Sequence, residues 1–177
     1  LLALKYGLIG ERLFVALVVM ALVTSLMSGP LLQRVLHLKK PRRFTDFLSA
    51  RTYINHLHAR TRHETIAELA KTASAVAGLE AAEVVDGVMI REEIMATGIG
   101  HGLAVPHARM RGLDRPVVAV GRSAAGIDFD APDGQPAQLI FLLLTPVHDD
   151  GAQLELLADI ATVFKDEAVR KRVDQVA

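Results

Sequence analysis

A chain of 177 residues without cysteine is long enough for one globular domain and an appendage, and it excludes a disulfide framework, a thiolate metal site and a thiol acceptor. Its zero net charge hides an asymmetry: Arg34 to Arg62 carries eight Lys/Arg against one acid, Asp46, whereas from His63 onward ten Lys/Arg face eighteen Asp/Glu. An acidic domain argues against a nucleic-acid partner, which needs clustered basic groups, and favours a basic protein partner through electrostatic steering.

Leu13 to Gln33 contains no charged residue over 21 positions, and about 20 apolar residues cross a bilayer core as a helix. Arg34, Lys39, Lys40, Arg42 and Arg43 follow, which by the positive-inside rule places the C-terminal end of the span in the cytoplasm. Thr24, Ser25, Ser28, Gly29 and Pro30 dilute the run, so a buried core helix is the alternative. Glu11 and the absent start methionine speak against a signal peptide. The start at Leu1 and the stop at Ala177, inside what reads as a helix, read as cuts in a longer chain. The organisation expected is a membrane helix over 1–38, a basic linker over 39–46 and a domain over 47–177.

Phe47 to Leu57 reads as an extended entry with a short strand near Tyr53 to Leu57. Thr61-Arg-His-Glu64 fits a capping box, and Ile66, Leu69, Ala70, Ala73, Val76 and Ala77 recur at helical spacing up to Gly78. A second helix is predicted from Ala81 to Met95, with Val84, Val85, Val88 and Met89 inward. Val117 to Ser123 and Leu139 to Thr145 are short apolar runs between Pro and Gly, as in buried strands, and Asp133-Gly134 marks a turn. Gln153 to Phe164 reads as a helix with Leu154, Leu157, Ala158, Ala161 and Phe164 on one face, and a last helix starts at Asp166.

The informative segment is Gly98-Ile-Gly-His-Gly-Leu-Ala-Val-Pro-His107. Three glycines allow sharp turns and close approach to a ligand. A short apolar run, Leu103 to Val105, then delivers a histidine directly after Pro106. Neutral imidazole is available near pH 7 because its unperturbed pKa is about 6.5, and it can attack phosphorus to form a covalent intermediate. A phosphoryl group so held needs donors for its three oxygens. Backbone N–H groups of the glycine turn (Gly100, Gly102) are candidates, and so is Arg109; Arg109 and Arg111 equally read as ordinary surface arginines.

Glu92, six residues, Ile99-Gly100, two residues, then Leu103-Ala-Val-Pro-His107-Ala108 resembles the active-site motif of enzyme IIA domains of the fructose–mannitol class of the bacterial sugar phosphotransferase system. Ile127-Asp-Phe-Asp-Ala-Pro-Asp-Gly-Gln-Pro136 and Leu139-Ile-Phe-Leu-Leu-Leu-Thr-Pro146 are similar to that family's next block. The resemblance implies an α/β fold, a mixed β-sheet with helices on both sides. It implies that His107 takes a phosphoryl group from the histidine-containing phosphocarrier HPr and passes it on, usually to a cysteine of a IIB domain. It makes the protein a phosphoryl carrier rather than a conventional turnover enzyme, with no cofactor and no metal. Residues 10–30 are similar to the last transmembrane helix of a sodium/proton (cation/proton) antiporter. That implies a domain in the cytoplasm, tethered to the inner membrane, which regulates the antiporter. An ordinary sugar-system IIA with a separate IIB partner, and an unphosphorylated partner-binding module, are the alternatives.

The family often places a second histidine seven residues after the proline matching Pro146; here the residue is Gln153. An amide can donate a hydrogen bond but cannot take up a proton. His101, inside the glycine loop, is a weaker candidate for orienting phosphate. Glu92 either caps a backbone group or is a solvated helical glutamate. His148 reads as a loop histidine, and His56, His58 and His63 as solvated linker residues rather than zinc ligands. Asp128, Asp130 and Asp133 read as turn residues.

Overall fold

The computed structural model describes residues 10–37, 42–166 and 168–169. Lys39 and Lys40 of the basic stretch, and all of the expected last helix except 166 and 168–169, lie outside them. The chain divides into two compact units, Leu1–Pro41 and Arg42–Ala177.

In the first unit, helix α1 runs from Glu11–His37 with Pro30 in its interior. Its Thr24 and Ser28 hydroxyls fold back onto carbonyls one turn earlier, satisfying themselves within the helix. Glu11–Leu32 is long and apolar enough to cross a membrane by length and composition, and none of its strongest apolar window is buried. Leu26, for example, is 75% exposed. A buried core helix, the alternative reading of this segment, would hide these side chains.

The second unit opens with two 3-10 turns, Phe44–Phe47 and Ala50–Thr52, and a two-residue strand β1, Tyr53–Ile54. This corrects the extended entry expected there. Phe44, within the stretch read as linker, is buried, packs edge-on against Phe141 at 5.7 Å, and donates its N–H to Asp159 at 2.9 Å. Arg42 pairs with Asp149 at 2.7 Å. The chain is therefore built into the domain from Arg42 onward.

Helix α2, Arg62–Ala77, has the capping box of Thr61 and Glu64 and ends at Gly78, whose φ of 69° closes the last turn. Helix α3 covers Ala81–Ile94 and buries Val84 and Val88, with Val85 and Met89 packed partly against the same core. Strands β2 (Gly98–Gly100), β3 (Leu103–Ala104), β4 (His107–Met110), β5 (Val117–Ile127) and β6 (Ala137–Pro146) follow, then helix α4, Asp150–Lys165. The sheet order is β1-β5-β6-β3-β2, with β4 also on β6. It is mixed: β5 is antiparallel to β6 and β2 to β3, while β1 runs parallel to β5 and β3 and β4 parallel to β6.

Alternation along β6 sorts the core onto two faces. Ile140, Leu142 and Leu144 pack with Ile66, Leu69 and Ala73 of α2 and Val84 and Val88 of α3. Leu139, Phe141 and Leu143 pack with Leu156, Ile160 and Phe164 of α4. Helices thus cover both faces.

The buried row of α4 is Ala152, Leu156, Ile160 and Phe164, and Leu154, expected inward, is 70% exposed; Ala158 and Ala161 are exposed too. The helix starts earlier than its apolar run implies, capped by Asp149, and two residues at about 100° each turn Leu154 away from Ala152. Strand β5 extends four residues past Ser123 to the buried Ile127, through the small residues Ala124, Ala125 and Gly126 and a register shift between Arg122 and Ile127.

Candidate functional site

Strands β3 and β4 lie end to end along the same edge of β6. Leu103 stands opposite Leu139, and His107 opposite Leu143. Val105 and Pro106 form the joint. The Val105 N–H donates to the Thr97 carbonyl at 3.0 Å, and Leu143 N–H donates to the Pro106 carbonyl at 2.9 Å. Proline has no N–H to contribute here, so the joint closes around its carbonyl alone.

His107 opens β4 and is only 6% exposed. Its Nδ1 lies 2.8 Å from the Val105 carbonyl. A carbonyl only accepts, so Nδ1 carries the proton and, in the neutral ring, the lone pair is on Nε2. Burial holds the imidazole pKa below 6.5; the Val105 hydrogen bond opposes this, Arg91 adds to the lowering, and Glu92 opposes it. At neutral pH the ring is therefore uncharged, as a nucleophile requires.

This shift has a stability consequence. A histidine with a folded pKa below its unfolded value leaves the unfolded chain holding more protons between the two, so stability falls as pH drops below about 6.5. The stability difference between the native chain and His107→Gln should accordingly shift in favour of the variant on going from pH 7.5 to 5, measured by urea midpoints. A pH-independent difference would contradict the assignment.

Glu92 is buried at 4% exposure, which resolves its two readings. Its Oε1 accepts the Thr97 N–H at 3.1 Å, and its Oε2 accepts the Thr97 hydroxyl at 2.6 Å. It caps the chain as it leaves α3 for the glycine motif.

Gly100, His101 and Gly102 have φ of 89°, 55° and 74° and reverse the chain between β2 and β3. The Gly102 carbonyl accepts from Gln138 and Leu139 N–H groups at 2.7 and 3.0 Å. The His101 N–H donates to Asp133 Oδ2 at 2.7 Å. Asp133 is held below the usual carboxylate range by the His101 and Gln135 N–H groups. One of the loop's N–H groups is therefore occupied by protein rather than open to an anion. Leu103 and His107 stand four residues apart along β6, about 13 Å, and His101 lies beyond Leu103. The structure sets His101, Gly100 and Gly102 away from His107 and gives the loop a structural task.

On the other side of the site, Arg109 shares the strand face of His107 and pairs with Asp150 in the first turn of α4. Thr145 stands opposite Arg109, and its hydroxyl donates to Gln153 Oε1 at 3.5 Å. Gln153 is half-buried. Arg109, Thr145 and Gln153 thus gather at the α4 end of the β4–β6 pair, two positions along the strands from the His107–Leu143 pair.

Arg91 escaped the sequence reading although it directly precedes Glu92. Its guanidinium donates to the Met95 carbonyl at 3.1 Å, and its charge is felt at His107. Arg62 was also missed, since its partners Glu92 and Asp130 come from distant segments, and so was Thr97, whose partners Glu92 and Val105 are near in sequence. His56, His58, His63 and His148 are exposed. Among the described residues, no group of three or more His, Cys, Asp or Glu is placed to hold a metal ion.

The mixed sheet thus presents a buried, neutral histidine with its lone pair on Nε2, a group chemically able to attack phosphorus. Residues 46–177 match the family model described as phosphoenolpyruvate-dependent sugar phosphotransferase system, EIIA 2, and the chain belongs to that family. The fructose-specific EIIA component of Haloferax volcanii is 37% identical over 110 residues, 62% of this chain and 70% of that protein. The crystal structure of nitrogen regulatory protein IIA-Ntr from Neisseria meningitidis superposes with a TM-score of 0.69 at 30% identity, covering 72% of this chain and 88% of that one. The IIA-mannitol chain in the Escherichia coli complex with phosphorylated IIB-mannitol shares the fold, with a TM-score of 0.61 at 20% identity over 71% of this chain and 86% of that one.

Proposed function

We propose that this chain is a membrane-tethered IIA domain whose His107 accepts a phosphoryl group from phosphorylated HPr. The observation that carries this is the His107 imidazole itself: neutral, with Nδ1–H held by Val105 and Nε2 left as the nucleophile. In the transfer, the P–N bond on the donor histidine breaks as a P–N bond to Nε2 forms, and the proton stays on Nδ1, donated to the Val105 carbonyl. Arg109 and Arg91 offer positive charge to the phosphoryl oxygens, and Gln153 offers its amide N–H2. Gln153 supplies no proton of its own, so the phosphorylated state is released less readily than one beside a second histidine.

These 177 residues have no cysteine, so onward transfer to a thiol needs an acceptor outside them. A IIB domain is one acceptor, as the mannitol pair of Escherichia coli illustrates. Exposed Ile94 and Met95 on the α3 side and Leu154 on α4 give a protein partner apolar area to cover.

In this reading α1 crosses the inner membrane with its C-terminal end in the cytoplasm, as the last helix of a cation/proton antiporter, and the domain regulates that transporter. Phosphorylation adds roughly −1.5 to −2 charges beside a basic tether, which favours whichever transporter state lets the domain dock there. The test is proton-coupled cation flux in vesicles for the complete protein, unphosphorylated, phosphorylated and as His107→Ala. The expected result is a flux that changes on phosphorylation and does not change in His107→Ala. Equal flux in all three favours the second reading, a sugar-system IIA passing phosphate to a separate IIB, which the similarity to a fructose-specific component supports.

A further inference from the structure

Arg62, at the start of α2, is far in sequence from the histidine motif, yet it meets the motif's supports from three directions. Its Nη1 lies 3.5 Å from Glu92 Oε1, in a pair whose carboxylate side chain is 2% exposed. Its Nη2 pairs with Asp130 at 2.5 Å, and its Nε donates to the Asp128 carbonyl at 3.3 Å. Its guanidinium stands 5.6 Å over the Phe129 ring. The planar fork is thereby fixed, which a flexible ammonium would not be.

From Glu92 an unbroken series of contacts leads to the nucleophile. His107 Nδ1–H donates to the Val105 carbonyl, Val105 N–H donates to the Thr97 carbonyl, and Thr97 donates N–H and O–H to Glu92. Every donation runs in one direction and ends on a buried carboxylate. A carboxylate removed from water needs a cation partner, and Arg62 is the one its ion pairs provide.

We propose that Arg62 is a positioning residue for phosphoryl transfer: by pairing with Glu92 and aiming it at Thr97, it holds the Val105 carbonyl where it fixes the His107 tautomer and turns Nε2 outward. This rests on His107 as the phosphoryl acceptor. The charges around the ring agree with it, because Arg91 and Glu92 of α3 act on His107 with opposite sign, and Arg109 of β4 is engaged by Asp150. Arg62 keeps the Glu92 side of that balance in place.

The experiment uses the full chain in detergent micelles with nitrogen-15 histidine, as native protein, Arg62→Met, Arg62→Lys and Thr97→Val. Two quantities are read: the His107 tautomer from imidazole nitrogen shifts at pH 8, and the rate of labelling by phosphorylated HPr. In Arg62→Met the single Nδ1–H tautomer gives way to a mixture and labelling slows by roughly tenfold to a hundredfold, the scale on which small misplacements of reacting groups act. Arg62→Lys keeps the charge and recovers part of both. Native tautomer and rate in Arg62→Met overturn the proposal, since a merely structural tie would move stability alone. If Arg62→Met does not fold, Thr97→Val decides: it removes the hydroxyl donor to Glu92, and an unchanged tautomer and rate there also overturn it. If the native chain takes no label but its tautomer still responds to Arg62→Met, the phosphoryl-transfer reading fails and the positioning role stands.

Discussion

Replacing His107 with alanine is expected to remove phosphoryl acceptance entirely while leaving the domain folded. The ring contributes one buried side-chain hydrogen bond, to Val105, and stands at the start of a four-residue strand whose backbone pairing with β6 does not depend on it. Its loss costs stability on the order of 1–2 kcal/mol, from one hydrogen bond and the apolar contacts of the ring. The chemical cost is expected to be total, because the proposed transfer runs through the lone pair of this ring. Cysteine is absent, Gln153 is not nucleophilic, and His101 stands at the remote end of β3. Incubation with the phosphocarrier system, followed by acid-labile phosphate counting at neutral pH, is expected to give one phosphate per native chain and none in His107→Ala. Undiminished label in the variant would remove His107 from the mechanism.

The second large effect is expected at Gly98, through sterics rather than chemistry. A Cβ there would stand 2.6 Å from the Phe129 carbonyl oxygen and 2.9 Å from the Ala131 nitrogen. Both are backbone atoms, and Gly98 N–H donates to that same Phe129 carbonyl at 3.2 Å, so neither side can rotate away. Gly98→Ala must push β2 off the 129–131 segment, and Thr97, which holds Val105, moves with it. We expect a loss of about 3 kcal/mol, the upper end for overpacking, seen as a melting temperature lower by about 10 °C. Labelling of His107 should slow in parallel. Gly134→Ala is the comparison: its φ of 68° strains an alanine, but no atom lies within 4 Å of the added Cβ, so its cost stays near 1 kcal/mol. Equal melting temperatures for the two variants would show that β2 tolerates displacement.

These two residues also mark how far the sequence could be read. His107 and the glycines stand in one contiguous motif, so their importance is visible without a structure. The capping box at Thr61 and the stop at Gly78 are equally local, and α2 starts and ends where those residues place it. Strands β2 and β4 have no such signal. One is a Gly-Ile-Gly tripeptide and the other His-Ala-Arg-Met, and each is a strand only because β3 or β6 offers it backbone partners. The face of α4 was misread because its apolar residues fit more than one helical row, and only the position of β6 selects the row through Ala152 and Leu156. At the site, the motif pointed to Glu92, but the choice between solvated and capping glutamate depended on Thr97 and Arg62. Gly100, Gly102 and His101 looked like a phosphate cradle in sequence. In three dimensions they form a hairpin tip anchored by Asp133 and Gln138.

The central claim is that a tautomer fixed by Val105 makes Nε2 of His107 the phosphoryl acceptor. Phosphorus-31 and nitrogen-15 NMR of the phosphorylated chain reads this directly, because phosphorus coupling identifies the nitrogen to which it is bonded. The expected spectrum shows a single phosphohistidine, coupled to Nε2 of His107, with the Nδ1 proton retained. Phosphorus on Nδ1, or on any residue other than His107, would contradict the account.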